Sequence, residues 1–372
     1  AWGSWYVTLG TFLSQIGFDG LNIGDVFSAS AWAALFSPIF VGMIADRYFS
    51  AQRILCILYF CCGGALFWTS TQTHPNTFFS SLLVTMSCYM PTVSLSNSVC
   101  FHHLSHPSIN FPKIRLFGTI GWIAAGLLVG TLAIENTVYP MWIGVSTLFF
   151  LSIYSLFLPE TPPRMKEKVT KLKDVFGFEA LILFSDRSFL AFALGSILLT
   201  IPLAFYYNFG NLFLNEVGVA NPAGTMTLGQ MSEMIFMLLM PFFFRIFSIK
   251  NMLIIGMFAW LVRYFLFANG DLWMLYIGIL LHGICYNFFF LTGQIYIDKR
   301  VGENLRSSAQ GLIGFLTYGI GMLCGAEISG YVVNYYETGV GHNWMMVWLW
   351  PAFIVLLVLS LFALLFKERC ND

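Results

Sequence analysis

The chain has 372 residues, 58% of them hydrophobic and only 10% charged, and its 18 basic and 18 acidic side chains leave no formal net charge. Soluble domains carry about 25% charged residues to cover their surface, so this composition excludes a water-solvated globule and points to one solvated by the lipid bilayer. There is no basic stripe to pair with phosphates, and no nucleic-acid partner is expected.

A helix needs about 20 mainly apolar residues to span a bilayer. Such runs, separated by polar or Pro/Gly breaks, predict twelve transmembrane helices at roughly 1–17, 23–45, 53–71, 77–101, 113–134, 138–158, 189–214, 225–246, 250–268, 272–297, 307–333 and 344–366. The first opens on Ala1-Trp2-Gly-Ser-Trp5 with no Met or flanking charge, which predicts that residues precede it; no cleavable signal is read there. With both termini on one side, the loops of that side hold Arg47, Arg53, Lys113, Arg115, Arg245, Lys250, Lys299, Arg300 and Arg306, and the tail adds Lys367 and Arg369. The opposite loops hold Asp19, Asp25, Glu135, Glu216, Asp271 and Glu337 but no Lys or Arg. The positive-inside rule then predicts that both termini are cytoplasmic.

The stretch from Pro159 to Ser188 is Pro-rich, then Lys-rich, and divides six helices from six. Its part from Thr170 to Phe184 suits a short amphipathic helix on the membrane surface. The division predicts a bundle over 1–158, a cytoplasmic loop over 159–188, a second bundle over 189–366 and a tail over 367–372. The fifth helix opens with Arg115 followed by Gly118-Thr119-Ile-Gly121, and the eleventh with Arg306 followed by Ser308-Ala-Gln-Gly311. Small residues after a basic opening recur in the two halves and let helices approach closely, as in a carrier built from repeats with its site between them. The fold class expected is all-α and polytopic, in two pseudo-symmetric six-helix bundles.

Cys56, Cys61, Cys62, Cys88, Cys100, Cys285 and Cys324 sit in apolar runs and Cys370 in the tail, none with CxxC or Cys/His spacing. They read as small core hydrophobes, and neither a metal nor a cofactor is expected. HExxH and GxSxG are absent, which argues against an enzyme.

A charge at the bilayer centre costs about 2.5–3.5 kcal/mol on insertion scales, so it normally faces a cavity and has a partner. Gln230 and Glu233 share a face of the eighth helix, with Glu233 near mid-depth. Arg115, Thr119 and Trp122 share a face of the fifth; Arg115 reads either as a substrate ligand or as an interfacial anchor, and Trp122 as a stacking ring or as packing. His282 and Tyr286 stand one turn apart on the tenth, with Asn287 next. Glu327 reads as reaching the interface, Arg263 as snorkelling or pairing across helices, and Asn97 as a low-ranked cavity residue.

Gly42-Met-Ile-Ala-Asp46-Arg47 resembles the GxxxDR loop of the major facilitator superfamily, where Asp and basic residues hold the inner helix ends in one state. Trp2-Gly-Ser-Trp5, Phe18-Asp-Gly20, Tyr89-Met-Pro-Thr92, Phe111-Pro-Lys-Ile-Arg115, Gln230-Met-Ser-Glu233 and Ser308-Ala-Gln-Gly311, taken in order, resemble its nucleoside:proton symporter family over nearly the whole chain. The resemblance implies a monomeric carrier of a nucleoside and a proton in the bacterial inner membrane, with Gly42, Asp46 and Arg47 in conformational gating. It implies substrate binding by Arg115, Thr119, Gln230 and Glu233, with Trp122, His282 and Tyr286 at positions of further site side chains. Tyr207 stands where the family places polar side chains for the base. Asn287 departs from the family's Asp, the proton-coupling position; a native variant, an engineered change and coupling through Glu233 all fit. Pro202 is expected to kink the seventh helix. A carrier of sugar or another polar metabolite on the same fold, or a non-transporting membrane sensor, are the alternative readings.

Overall fold

In lipid the backbone must satisfy its own N–H and C=O groups, so each long apolar run closes its hydrogen bonds within a helix. The computed structural model describes residues 1–47, 49–105, 107–162, 178–301 and 303–367. Among these lie twelve helical spans. The first six are α1 (Trp2–Trp5 and Leu9–Gln15), α2 (Gly20–Arg47), α3 (Ala51–Ser70), α4 (Pro75–His103), α5 (Pro107–Thr131) and α6 (Tyr139–Ser155). The last six are α7 (Arg187–Glu216), α8 (Pro222–Ile246), α9 (Ile249–Asn269), α10, α11 and α12 (Trp344–Leu365). In α10 the pieces Leu272–Leu280, His282–Tyr286 and Thr292–Arg300 are joined through a π-helical turn at Asn287–Leu291. In α11 the pieces Glu303–Gly314 and Met322–Tyr335 flank a π-helical turn at Phe315–Gly321. Ten spans are long and apolar enough to cross a membrane; the others are the interrupted α1 and the 17-residue α6. Phe117, Phe157, Trp273 and Leu364 belong to an exposed apolar surface.

The two halves repeat their local chemistry. At the end of α1, Gly17 takes φ +93°, and Phe18 and Gly17 donate their N–H groups back to Leu13 and Ser14. At the end of α7, Gly218 takes φ +80°, and Val219 and Gly218 donate to Leu214 and Asn215. This helix stop needs a left-handed residue, and glycine adopts one without a Cβ clash. An acceptor side chain then starts the next helix in each half: Asp19 bonds the N–H of Asn22 at 2.8 Å, and Asn221 that of Gly224 at 3.0 Å.

Across the halves α2 packs on α11 and α5 on α8, contacts that exchange under a two-fold relating α1–α6 to α7–α12; α1 lies along α7. Gly24 and Gly330 make the first seam possible, since a Cβ on Gly24 would stand 2.7 Å from the carbonyl oxygen of Ala326 and 2.9 Å from Cα of Gly330. The cross-half hydrogen bonds among the described residues gather at the acidic end, where the loops carry Asp19, Glu135, Glu216 and Glu337. There the buried Glu135 accepts from Asn211 at 2.8 Å, Asn215 at 3.3 Å and the backbone N–H of Ala223 at 2.8 Å, and Thr11 donates to Asn211 at 2.6 Å. A short hairpin, Glu337–Thr338 with Gly341–His342, is held nearby by Glu216, which accepts from His342 and Trp344.

α7 is buried along most of its length, including Phe205, Tyr206 and Phe209, and forms the spine of the second half. It runs as one helix through Pro202, whose carbonyl accepts from Tyr264 at 2.6 Å. At the opposite, basic end Asp186 caps α7 through the N–H of Ser188 and pairs with Arg300. Of the surface helix expected over Thr170–Phe184, residues up to 177 lie outside the described residues; Phe178–Ser185 forms a 3-10 helix with Ala180 buried. The side chains of Asp46 and Arg47 and the tail with Cys370 also lie outside them, while Gly42 sits within α2 with open space around its Cα.

Candidate substrate site

The site is built where α8 and α10 touch most closely. A Cβ on Gly283 would fall 2.5 Å from the backbone of Ser232, and Ser232 Oγ donates to the carbonyl of Leu280 at 2.5 Å. This contact fixes the register of the two helices. It sets Glu233, next to Ser232, against His282, next to Gly283, with Glu233 Oε2 3.6 Å from His282 Nε2. His282 is fully buried and Glu233 retains 24% side-chain exposure, so the carboxylate is the accessible member of the pair. Gln230, one turn from Glu233, is buried on the same face.

Aromatic rings wall this pair. The ring of His282 lies 5.4 Å from Tyr206, 6.4 Å edge-on from Tyr207 and 5.8 Å from Tyr286. Tyr286 shares a 2.8 Å hydrogen bond with Tyr318, whose place in the π-turn of α11 lets it meet α10. Local π-turns displace one helical face and recur at functional sites. Tyr318 lies near enough to Arg115 on α5 and to Glu233 on α8 to feel both charges. Arg115 is exposed and Thr119, one turn along, is half-buried.

Trp122 is placed differently. Its ring stands 5.8 Å from Trp2, which lies 5.4 Å from Tyr89, and a Cβ on Gly3 would meet the Trp122 ring at 2.7 Å. It therefore belongs to an aromatic wall shared with α1 and α4, and any stacking on a ligand would use its remaining face.

Asn287 is 2% exposed and donates both amide hydrogens, to the carbonyl of Glu233 at 2.8 Å and to that of Gly283 at 2.9 Å. Its side chain thus clamps α8 to α10 immediately beneath Glu233. Arg263, read from sequence as snorkelling or pairing, pairs: at 0% exposure its Nη1 lies 2.9 Å from His282 Nδ1, with the guanidinium 3.8 Å over the ring of Tyr206. Glu327 lies beside Asp25 and Ser28 at the seam of α11 with α2, away from this cluster. The structure thus brings Tyr207, Gln230, Glu233, His282, Tyr286 and Asn287 together, leaves Arg115 and Thr119 on the other half, and sets Trp122 in a separate wall. Tyr206 and Tyr318 escaped sequence reasoning as site residues. The polar tip of Tyr318 within an apolar span of α11 was the available signal.

Such a cluster, polar at its centre and aromatic at its edges, suits a ligand with a flat ring and several hydroxyls. The nucleoside H+ symporter family model matches residues 1–371. The chain belongs to that family. It is 40% identical to the putative nucleoside transporter YegT of Escherichia coli (strain K12), covering 100% of this chain and 92% of the relative. It is 33% identical to the xanthosine permease of the same organism, covering 98% and 92%. The crystal structure of the nucleoside transporter NupG, 31% identical, superposes with a TM-score of 0.90 over 99% of this chain and 96% of that one. The fold is accordingly that of a twelve-helix major facilitator, and the protein is a multi-pass membrane transporter of the nucleoside symporter family, not an enzyme.

Proposed function

We propose that this protein carries a nucleoside together with a proton into a bacterial cell across the inner membrane, as a monomer in lipid with both termini cytoplasmic. The observation that carries the reading is the Glu233–His282 pair, an accessible carboxylate beside a buried imidazole, walled by Tyr207 and Tyr286. The carboxylate accepts from ribose hydroxyls, Gln230 offers both a donor and an acceptor, and the tyrosines supply faces for the base. Arg115 and Thr119 reach the same ligand from the other half, with Trp122 behind them.

The moving units are the bundles 1–158 and 189–366, joined by 159–188, and Gly42, Asp46 and Arg47 act at the cytoplasmic ends. With the basic end cytoplasmic, the contacts of Glu135 seal the outer side, and the conformation described faces inward. Loading is alternating access: the outward-facing form takes a proton and a nucleoside, and neutralising Glu233 removes the penalty of burying its charge when the halves close over it. Asn287 cannot exchange a proton, which leaves Glu233 as the carboxylate of this cluster able to do so.

Thermal shift of the detergent-purified protein against uridine, adenosine and xanthosine, with glucose and maltose as controls, tests the ligand class. Stabilisation by nucleosides alone supports the reading; stabilisation by a sugar alone would assign the fold to a different cargo.

A further inference from the structure

Arg263 poses a problem of charge. It is a guanidinium on α9 with 0% exposure, and among the described residues no carboxylate pairs with it. Its Nε and Nη2 lack hydrogen-bond partners there, and its faces are covered by Tyr206 at 3.8 Å and Phe267 at 5.2 Å. Burying a charge without a counter-charge is costly, so the group is retained for what its one strong bond does. That bond is the 2.9 Å contact from Nη1 to His282 Nδ1.

An arginine has five donors and no acceptor. Nδ1 of His282 must therefore accept, and the ring's single proton must sit on Nε2, the nitrogen that lies 3.6 Å from Glu233 Oε2. We propose that Arg263 is a positioning residue that fixes His282 as the Nε2–H tautomer, making it a permanent hydrogen-bond donor beside Glu233 and not a carrier of the transported proton. The proposal rests on the substrate-site reading above and specifies how that site divides its work.

The geometry explains why the imidazole does not take a second proton. Protonation at Nδ1 would turn an acceptor into a donor aimed at a donor, and would place two cations side by side in a closed pocket. The titratable and charged groups facing His282 are Tyr206 and Tyr207 from α7, Glu233 from α8, Arg263 from α9 and Tyr286 from its own helix; Cys285 lies near Arg263, and Tyr318 of α11 joins through Tyr286. Glu233 is the one carboxylic acid among them. A separation of 3.6 Å is too long for a direct hydrogen bond. Nε2–H and the carboxylate are instead poised to share a ligand hydroxyl that accepts from the first and donates to the second.

The test is 15N NMR of the full chain labelled at its histidine ring nitrogens, in nanodiscs, with His282 assigned by difference against His282→Gln. The expected spectrum shows His282 unprotonated at Nδ1 and protonated at Nε2, unchanged from pH 8 to pH 5. In Arg263→Met the same ring should titrate and exchange tautomers, and Arg263→Lys, which restores a donor, should recover the fixed form in part. A wild-type His282 that carries its proton on Nδ1, or that titrates across this range, overturns the proposal, and this outcome does not depend on either Arg263 variant. Uridine titrated into the same sample reads the site separately: a fixed tautomer with no response to uridine supports the role of Arg263 and counts against the nucleoside reading alone. In transport, Arg263→Met should add an acidic limb to the uptake pH profile near the ordinary histidine range, about 6.5, with the effect on kcat larger than on KM.

Discussion

Glu135, in the loop after α5, accepts a 2.8 Å hydrogen bond from Asn211 of α7 and so ties the first half of the protein to the second at the acidic end. The same carboxylate takes the N–H of Ala223 in the first turn of α8, where the helix has unpaired donors and the positive end of its dipole. Glu135→Ala would leave these donors without an acceptor, at about 1–3 kcal/mol for each buried group. The sealed form should lose population to one open at this end. Spin labels at the exposed Thr71 and Val340, in a cysteine-free background, should report a longer inter-half distance in Glu135→Ala than in the parent. Identical distance distributions would remove Glu135 from the seal.

Asn287→Asp should create a pH-dependent joint between α8 and α10. The amide now donates to two carbonyl oxygens, at 2.8 and 2.9 Å. A carboxyl can donate to one of them only while it keeps its proton, and once ionised it faces both oxygens as a third acceptor. The protonated form is therefore favoured by folding, so stability is retained at low pH and lost as pH rises. The melting temperature of the variant should fall below the parent at pH 8, and the gap should narrow by pH 5. A gap independent of pH would show that this carboxyl binds its proton equally in the folded and unfolded states, and that the two carbonyls do not favour its protonated form.

Tyr318→Phe removes one hydroxyl from the 2.8 Å pair with Tyr286 at the edge of the cluster. Tyr318 is partly exposed, so little packing is lost. One net hydrogen bond amounts to about 0.5–1.5 kcal/mol, or roughly 2- to 12-fold in nucleoside affinity. The apparent KM for uridine should rise within that range with at most a small fall in melting temperature; an unaltered KM would place Tyr318 outside the ligand's reach.

The spans were legible because lipid imposes a simple rule, a run of about 20 apolar residues for each crossing. Glu233 and His282 were legible for the same reason, since polar groups at mid-membrane need a purpose. Tertiary packing, which sequence periodicity does not report, decided the remainder. The interruption of α1 between Trp5 and Leu9 and the π-turns at Asn287 and Phe315 keep an apolar pattern indistinguishable from continuous helix. The bond between Arg263 and His282 joins residues on antiparallel neighbours, and nothing in either helix alone identifies the partner. Trp122 carried the right spacing for the substrate face of α5, yet its surroundings are set by Trp2 and Gly3 of α1. The helical starts of α5 and α11 fall several residues before the apolar runs begin, because their first turns are polar and carry no apolar signal.

Uptake of labelled uridine into proteoliposomes, with and without an inward proton gradient and with Glu233→Gln beside the parent, tests nucleoside–proton coupling through Glu233 most directly. The parent should accumulate uridine only when the gradient is present. Glu233→Gln, a permanent mimic of the protonated acid, should exchange uridine at most downhill and ignore the gradient. Equal accumulation by the parent in both conditions, or gradient-driven accumulation by Glu233→Gln, would contradict it.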